Sequence, residues 1–239
     1  MKIVNEHKTI DKIIQGRYSI ARFGDGELKL IKGQQQMYQT PTFASARTLS
    51  EVMCSEVPNL LIGIPRLENV KGKFWQRYKT NTYTNLYDPN KKYYSAFITR
   101  PDLIPEIDSN FYWCHMKTIW HRRLVVLLQG SERDFQYGAD LLSNAAEVKT
   151  EYGPRKDAFD WRYTLLKQLL VYPDDAIYIL SLGPTATVLA YDLAREGRQA
   201  LDLGHAGAFY SGQHPKSSNY DGNDYDNDKG GLSKFSCQK

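Results

Sequence analysis

Residues 177–203 read IYILSLGPTATVLAYDLAREGRQALDL. The stretch 177–182 is almost wholly apolar and opens with β-branched and aromatic side chains, as expected of a strand covered on both faces. It stops at Gly183-Pro184-Thr185. Pro at a first helical position loses nothing, because the N–H it lacks would have no intrahelical partner there. Apolar residues then recur at helical spacing over 185–196, and Gly197 supplies a left-handed stop. A second apolar run, 200–203, follows. Strand, turn, helix and strand in this order make a crossover that sets two parallel strands side by side.

The same alternation continues toward the N-terminus. Ile10, Ile13 and Ile14 predict a first helix ending at Gly16, and strands are predicted at 18–23, 60–64, 94–98 and 124–128. Helices are predicted over 44–57 and 159–171. The expected class is α/β, a Rossmann-like, mainly parallel sheet flanked by helices. Residues 71–93, rich in Tyr, Asn, Thr and Lys, are expected to form an insertion in a single domain spanning 1–210. In 211–239 Leu232 is the sole aliphatic residue, which predicts a flexible C-terminal tail.

Composition narrows the function. The chain has 239 residues, 41% of them hydrophobic and 24% charged, which suits a packed globular core. At this length about 70% of the unfolded surface is buried, so no disulfide or structural metal is required. Cys54, Cys114 and Cys237 are far apart and lack zinc-site spacing, which predicts free thiols in a reducing compartment. No apolar run approaches the roughly 20 residues of a membrane span. A cytoplasmic location is expected, with peripheral association at the inner membrane face left open. A net charge of +4 forms no polybasic footprint, so nucleic acid is not an expected partner.

In open α/β sheets ligands bind beyond the carboxyl ends of the strands, which directs attention to the residues after each strand. Gly24-Asp25-Gly26-Glu27 follows the first. Read as extended backbone, it sends Asp25 and Glu27 to one face, where their mutual repulsion invites Mn²⁺ or Mg²⁺. Read as a helix start, it is an ordinary acidic first turn. Gly183, Pro184 and Thr185 begin a helix whose free N–H groups attract phosphate. Gly204-His205 follows the last strand, and His205 is a candidate ligand or proton carrier. Gly130, Ser131 and Arg133 follow the 124–128 strand with small, polar and guanidinium groups suited to anions. Arg22, Arg100 and Arg155 are weaker candidates of the same kind.

Two of these strings resemble a known family. SLGPTATVLAYDLA (181–194) followed by QALDLGH (199–205) is similar to the closing signature of the GT-D fold glycosyltransferases. RFGDGE (22–27) is similar to their Asp-x-Glu motif, and VLLQG (126–130), DLL (140–142) and DAF (157–159) resemble their middle. The resemblance implies a GT-D type fold and transfer of a hexose from a UDP-sugar to a glycan, glycoprotein or lipid-linked acceptor. It implies Mn²⁺ or Mg²⁺ at Asp25 and Glu27, which would also act in catalysis. Gly183, Pro184 and Thr185 would cradle the diphosphate beside His205, with Arg22, Gly24, Gly130, Ser131 and Arg133 as further substrate contacts. One departure is that His205 is followed by Ala206-Gly207-Ala208, where family members often carry acidic residues. The identity of the base therefore stays open. Two other readings also remain: a metal-dependent phosphohydrolase or nucleotidyltransferase, and a non-catalytic nucleotide-sugar-binding module.

Overall fold

The computed structural model describes residues 2–71, 73–76, 84–130 and 140–212. Among them the strands are β1 (Ile3–Val4), β2 (Ser19–Arg22), β3 (Leu60–Ile64), β4 (Tyr93–Ser95), β5 (Leu124–Gln129), β6 (Glu147–Tyr152), β7 (Ile177–Ser181) and β8 (Gln199–Asp202). The α-helices are α1 (Glu6–Gly16), α2 (Asp25–Ile31), α3 (Phe43–Cys54), α4 (Lys73–Gln76), α5 (Ser109–Lys117), α6 (Arg162–Leu169), α7 (Pro184–Arg195) and α8 (Ala206–Tyr210). All eight strands lie in one sheet, ordered β1-β4-β3-β2-β8-β7-β5-β6, with every neighbouring pair parallel.

The period-2 pattern of the strands sorts side chains into two layers. Tyr178 and Leu180 point into a core shared with α2, α3, α6 and α7. Ile177 and Ile179 point into the opposite core, with α1, α5 and α8. Helix α7 begins at Pro184, the first helical position, and is buried on nearly every side. Its Thr187 hydroxyl donates to Arg22 O and Asp202 Oδ2, both at 3.0 Å, tying the helix to the ends of β2 and β8. Arg162 on α6 grips Asp192 on α7 through two hydrogen bonds of 2.5 Å. Deleting one member of such a buried pair typically costs about 3–5 kcal/mol.

Several boundaries differ from the sequence reading. Of the two readings of 24–27 the helix start holds: Gly24 is an extended N-cap and Asp25 opens α2, with the Glu27 side chain reaching back to the Gly24 N–H. The strand expected over 94–98 ends at Ser95, whose hydroxyl accepts the Phe97 N–H at 3.0 Å and turns the chain into a 3₁₀ turn, Ala96–Thr99. The helix expected over 159–171 is a 3₁₀ turn, Ala158–Trp161, followed by α6. Within 71–93, Tyr93 is wholly buried in β4, and Trp75 packs with Val70, Phe97, Leu103 and Ile104. Cys54 is a free, exposed thiol, and Cys237 lies outside the described residues. No helix among the described residues is long and apolar enough to cross a membrane. Residues 213–239 of the expected tail lie outside the described residues.

Candidate active site

A cavity of about 330 Å³ opens at the carboxyl edge of the sheet. Its lining draws on the segments after β2, β4, β5, β7 and β8, where an open parallel sheet places its ligands. Asp25 and Glu27 line it, and so do Gly183 and Pro184. The acidic turn and the Pro-containing turn adjoin: a Cβ on Gly26 would lie 3.8 Å from Pro184 Cγ.

The first turn of α2 separates its two carboxylates. Residues two apart on a helix do not share a face. Asp25 pairs with Lys29 one turn on, at 3.0 Å. Glu27 Oε2 accepts the Gly24 N–H at 2.7 Å. Burial, and then the charges of Asp202 and Asp25, push the Glu27 carboxyl up to about 7, against the pull of the backbone N–H groups.

Asp202 closes β8 and is buried at the cavity floor. The sequence reading passed over it. The strand-end rule pointed to Gly204 and His205, although an acidic residue inside the apolar run ALDL was a signal of its own. Burial raises the Asp202 carboxyl, and the Arg22 guanidinium and Thr187 hydroxyl pull it down. Arg22 is a strut rather than an open anion site. Its Nε donates to Asp202 O, and its Nη1 to Ala96 O at 2.9 Å and to Thr99 Oγ1 at 2.6 Å. Its Nη2 stands 3.5 Å from Asp202 Oδ1. Gly204 makes room for it: with φ +49°, a Cβ there would approach Arg22 Nη2 to 2.9 Å.

Gly183 has φ +52° and ψ −146°, a conformation that only glycine adopts without strain, and a Cβ there would meet Tyr38 Cβ at 3.4 Å. The turn thus presents bare backbone to the cavity. Thr185 does not line it: the residue is buried, and the following Ala186 N–H is occupied by Gly183 O at 3.0 Å. His205, the N-cap of α8, lines the cavity with its ring centroid 6.3 Å from that of Tyr38.

Segment 35–38, which no sequence pattern flagged, forms the remaining polar wall. It is clipped to the chain before α6. The Asp157 N–H donates to Tyr38 O at 2.9 Å, and the Asp157 carboxylate accepts the Thr40 N–H at 2.6 Å, which holds that carboxyl below the usual range. Phe74, Trp75, Phe97 and Phe209 give an apolar wall, with the Arg100 guanidinium 4.2 Å from the Phe209 ring centroid. Of the sequence candidates, Arg22, Gly24, Asp25, Glu27, Gly130, Gly183, Pro184 and His205 meet at this cavity, as do Arg100 and Arg155. Ser131 and Arg133 lie outside the described residues.

Comparison with known proteins agrees with this architecture. A family model for the glycosyltransferase GT-D fold matches residues 20–215. A probable glycosyl transferase, Gly, of Streptococcus gordonii is 27% identical over 88% of this chain and 33% of its own length. The glycosyltransferase GlyD of Streptococcus pneumoniae serotype 4 is 27% identical over 85% of this chain and 26% of its own. The chain thus spans about a third or less of these curated relatives. A solved structure of the highly conserved domain of unknown function 1792, described as a distinct glycosyltransferase fold, superposes with a TM-score of 0.80 at 29% identity. It covers 88% of this chain and 80% of that one. A glycosyltransferase from Streptococcus sanguinis gives a TM-score of 0.79 at 28% identity, covering 90% and 88%.

Proposed function

Since the chain belongs to the glycosyltransferases of the GT-D fold, we propose that it moves a hexose from a UDP-sugar to a glycan, glycoprotein or lipid-linked acceptor, assisted by Mn²⁺ or Mg²⁺ at Asp25 and Glu27. The observation that carries this reading is the meeting of the acidic turn and the Gly183-Pro184 turn at one cavity mouth.

The donor set suits a hard divalent cation. Asp25, Glu27 and Asp202 offer oxygen ligands at the cavity. Asp25 and Asp202 both raise the Glu27 carboxyl by their charge, an excess of negative charge that a cation relieves. Among the described residues no three His, Cys, Asp or Glu side chains are grouped to hold a metal, so the protein would supply at most two ligands, with water and substrate phosphate as the rest. Bound there, the cation would neutralise charge on the departing nucleoside diphosphate.

The chain's own groups supply the rest. The positive end of α7, reached over the bare backbone of Gly183, favours the same developing charge. One of Asp25 and Glu27 would take the proton of the acceptor hydroxyl, the other staying with the cation. His205 stands beside Tyr38 on the cavity lining, where it would be a second polar group for a bound phosphate. Arg22 and Asp202 keep the ends of β2 and β8 in register beneath them.

The test is incubation with a panel of UDP- and GDP-sugars and candidate acceptors, with Mn²⁺ or with EDTA. Release of UDP from one UDP-sugar, dependent on Mn²⁺ and matched by sugar appearing on an acceptor, is the expected result. Free phosphate or pyrophosphate without transfer would indicate a phosphohydrolase or nucleotidyltransferase. Tight binding without turnover on any acceptor would leave a nucleotide-sugar-binding module.

A further inference from the structure

Gln36 lies between α2 and α3 on the polar wall of the cavity. Its Oε1 accepts the Tyr38 N–H at 3.0 Å, which fixes the way the carboxamide is turned. The other end, Nε2, is buried and has no hydrogen-bond partner among the described residues. Buried amide donors in folded proteins are nearly always paired, so an orphan on a ligand cavity marks a place where an acceptor arrives with the ligand. The position says which acceptor. A Cβ on Gly26 would lie 4.0 Å from Gln36 Oε1 and 3.8 Å from Pro184 Cγ, so the carboxamide stands where the acidic turn meets the start of α7. That helix has twelve residues, and its amino end favours an anion.

We propose that Gln36 is a donor-binding residue whose Nε2–H is taken up by a diphosphate oxygen of the bound nucleotide sugar. This rests on the UDP-sugar reading given above. The amide is shielded from solvent in the free protein, so engagement needs a small turn of the side chain; its neighbours Gln35 and Met37 are exposed and leave room for it. A neutral donor here also suits a site that already holds three carboxylates, since it binds phosphate without drawing those acids into further ion pairs.

Calorimetric titration of the wild type, Gln36→Glu and Gln36→Leu with UDP and with UDP-glucose, in Mn²⁺, tests the assignment. Gln36→Glu keeps an acceptor for the Tyr38 N–H and replaces the donor with a repelling oxygen; affinity for both ligands should fall about 10- to 100-fold, with the melting temperature unchanged. Gln36→Leu should weaken both by about tenfold. Weakening of UDP-glucose alone would show that the amide meets the sugar and would overturn the diphosphate assignment. Unchanged affinity in Gln36→Glu would overturn it outright. If Gln36→Leu lowers the melting temperature, Gln36→Glu decides. Failure of the wild type to bind any of a panel of nucleoside diphosphates would instead overturn the nucleotide-sugar reading, and Gln36 with it.

Discussion

The β2–α2 and β7–α7 turns meet at one cavity and are built on opposite principles. The first works through side chains. Asp25 and Glu27 bring negative charge, and the strain of holding it appears in a Glu27 carboxyl raised to about 7. The second works through backbone. Gly183 and Pro184 bring no charge, only a left-handed glycine and a helix end. Charge selects a cation but is unstable without one, whereas bare backbone accepts phosphate and is preformed.

The largest expected effect falls on the charged turn. Glu27→Gln or Asp25→Asn should lower kcat by on the order of 10² to 10³, about 3–4 kcal/mol, with the far-ultraviolet dichroism unchanged. EDTA should do the same to the wild type, and Mn²⁺ should restore it. Turnover within threefold of wild type under either condition would break the contrast between the turns.

The same turn should show itself in stability without metal. Glu27 titrates at about 7 when folded, above its ordinary value of 4.5, so the folded state binds the extra proton between those limits. Stability should therefore fall as pH rises from about 4.5 to 7, by at most about 3 kcal/mol, and stay low above that range. Urea melts across this range should show the slope in the wild type and a flatter line in Glu27→Gln; equal slopes would remove Glu27 as its source.

The backbone turn should respond differently. Gly183→Ala forces a side chain into a strained conformation against Tyr38, and should cost about 1–3 kcal/mol in urea together with a loss of turnover. Gly197→Ala, at φ +75° with nothing within 4 Å, should cost about 1 kcal/mol and leave kcat unchanged. Parallel losses of activity in both would mean that strain alone, and not the site, governs the result. The narrowest readout belongs to Asp202→Asn, which removes a charge facing Glu27 and also breaks the buried pair with Arg22. The Glu27 midpoint, followed by carboxyl NMR, should fall by about one unit, roughly 1 kcal/mol.

The β7–α7–β8 unit was legible because its apolar periods, Pro184 and Gly197 agree at every level from propensity to packing. Helix α2 was legible as one of two readings, because Asp25 and Glu27 suit a first helical turn while Gly24 and Gly26, weak helix formers, also allowed an extended turn. Strand β6 escaped because it is an edge strand, exposed along almost its whole length, and its alternation of Glu147, Val148, Lys149, Thr150 and Glu151 buries no apolar stripe. Both motif ends of the site could be read from sequence. Asp202 and the wall at Gln36 and Tyr38 could not, because tertiary packing rather than a local pattern brings them to the cavity.

Strand β8 stands in the middle of the sheet, between β2 and β7, yet is the last of the described strands in chain order. While the chain emerges from a ribosome, β1 to β4 and β5 to β7 can gather as two partial sheets, but no strand joins them until residues 199–202 arrive. Arg22 and Asp202 then meet for the first time. The binding cleft is accordingly a late product of synthesis, and a nascent chain stalled within α7 would present two open, pairing-competent edges to the cell's chaperones.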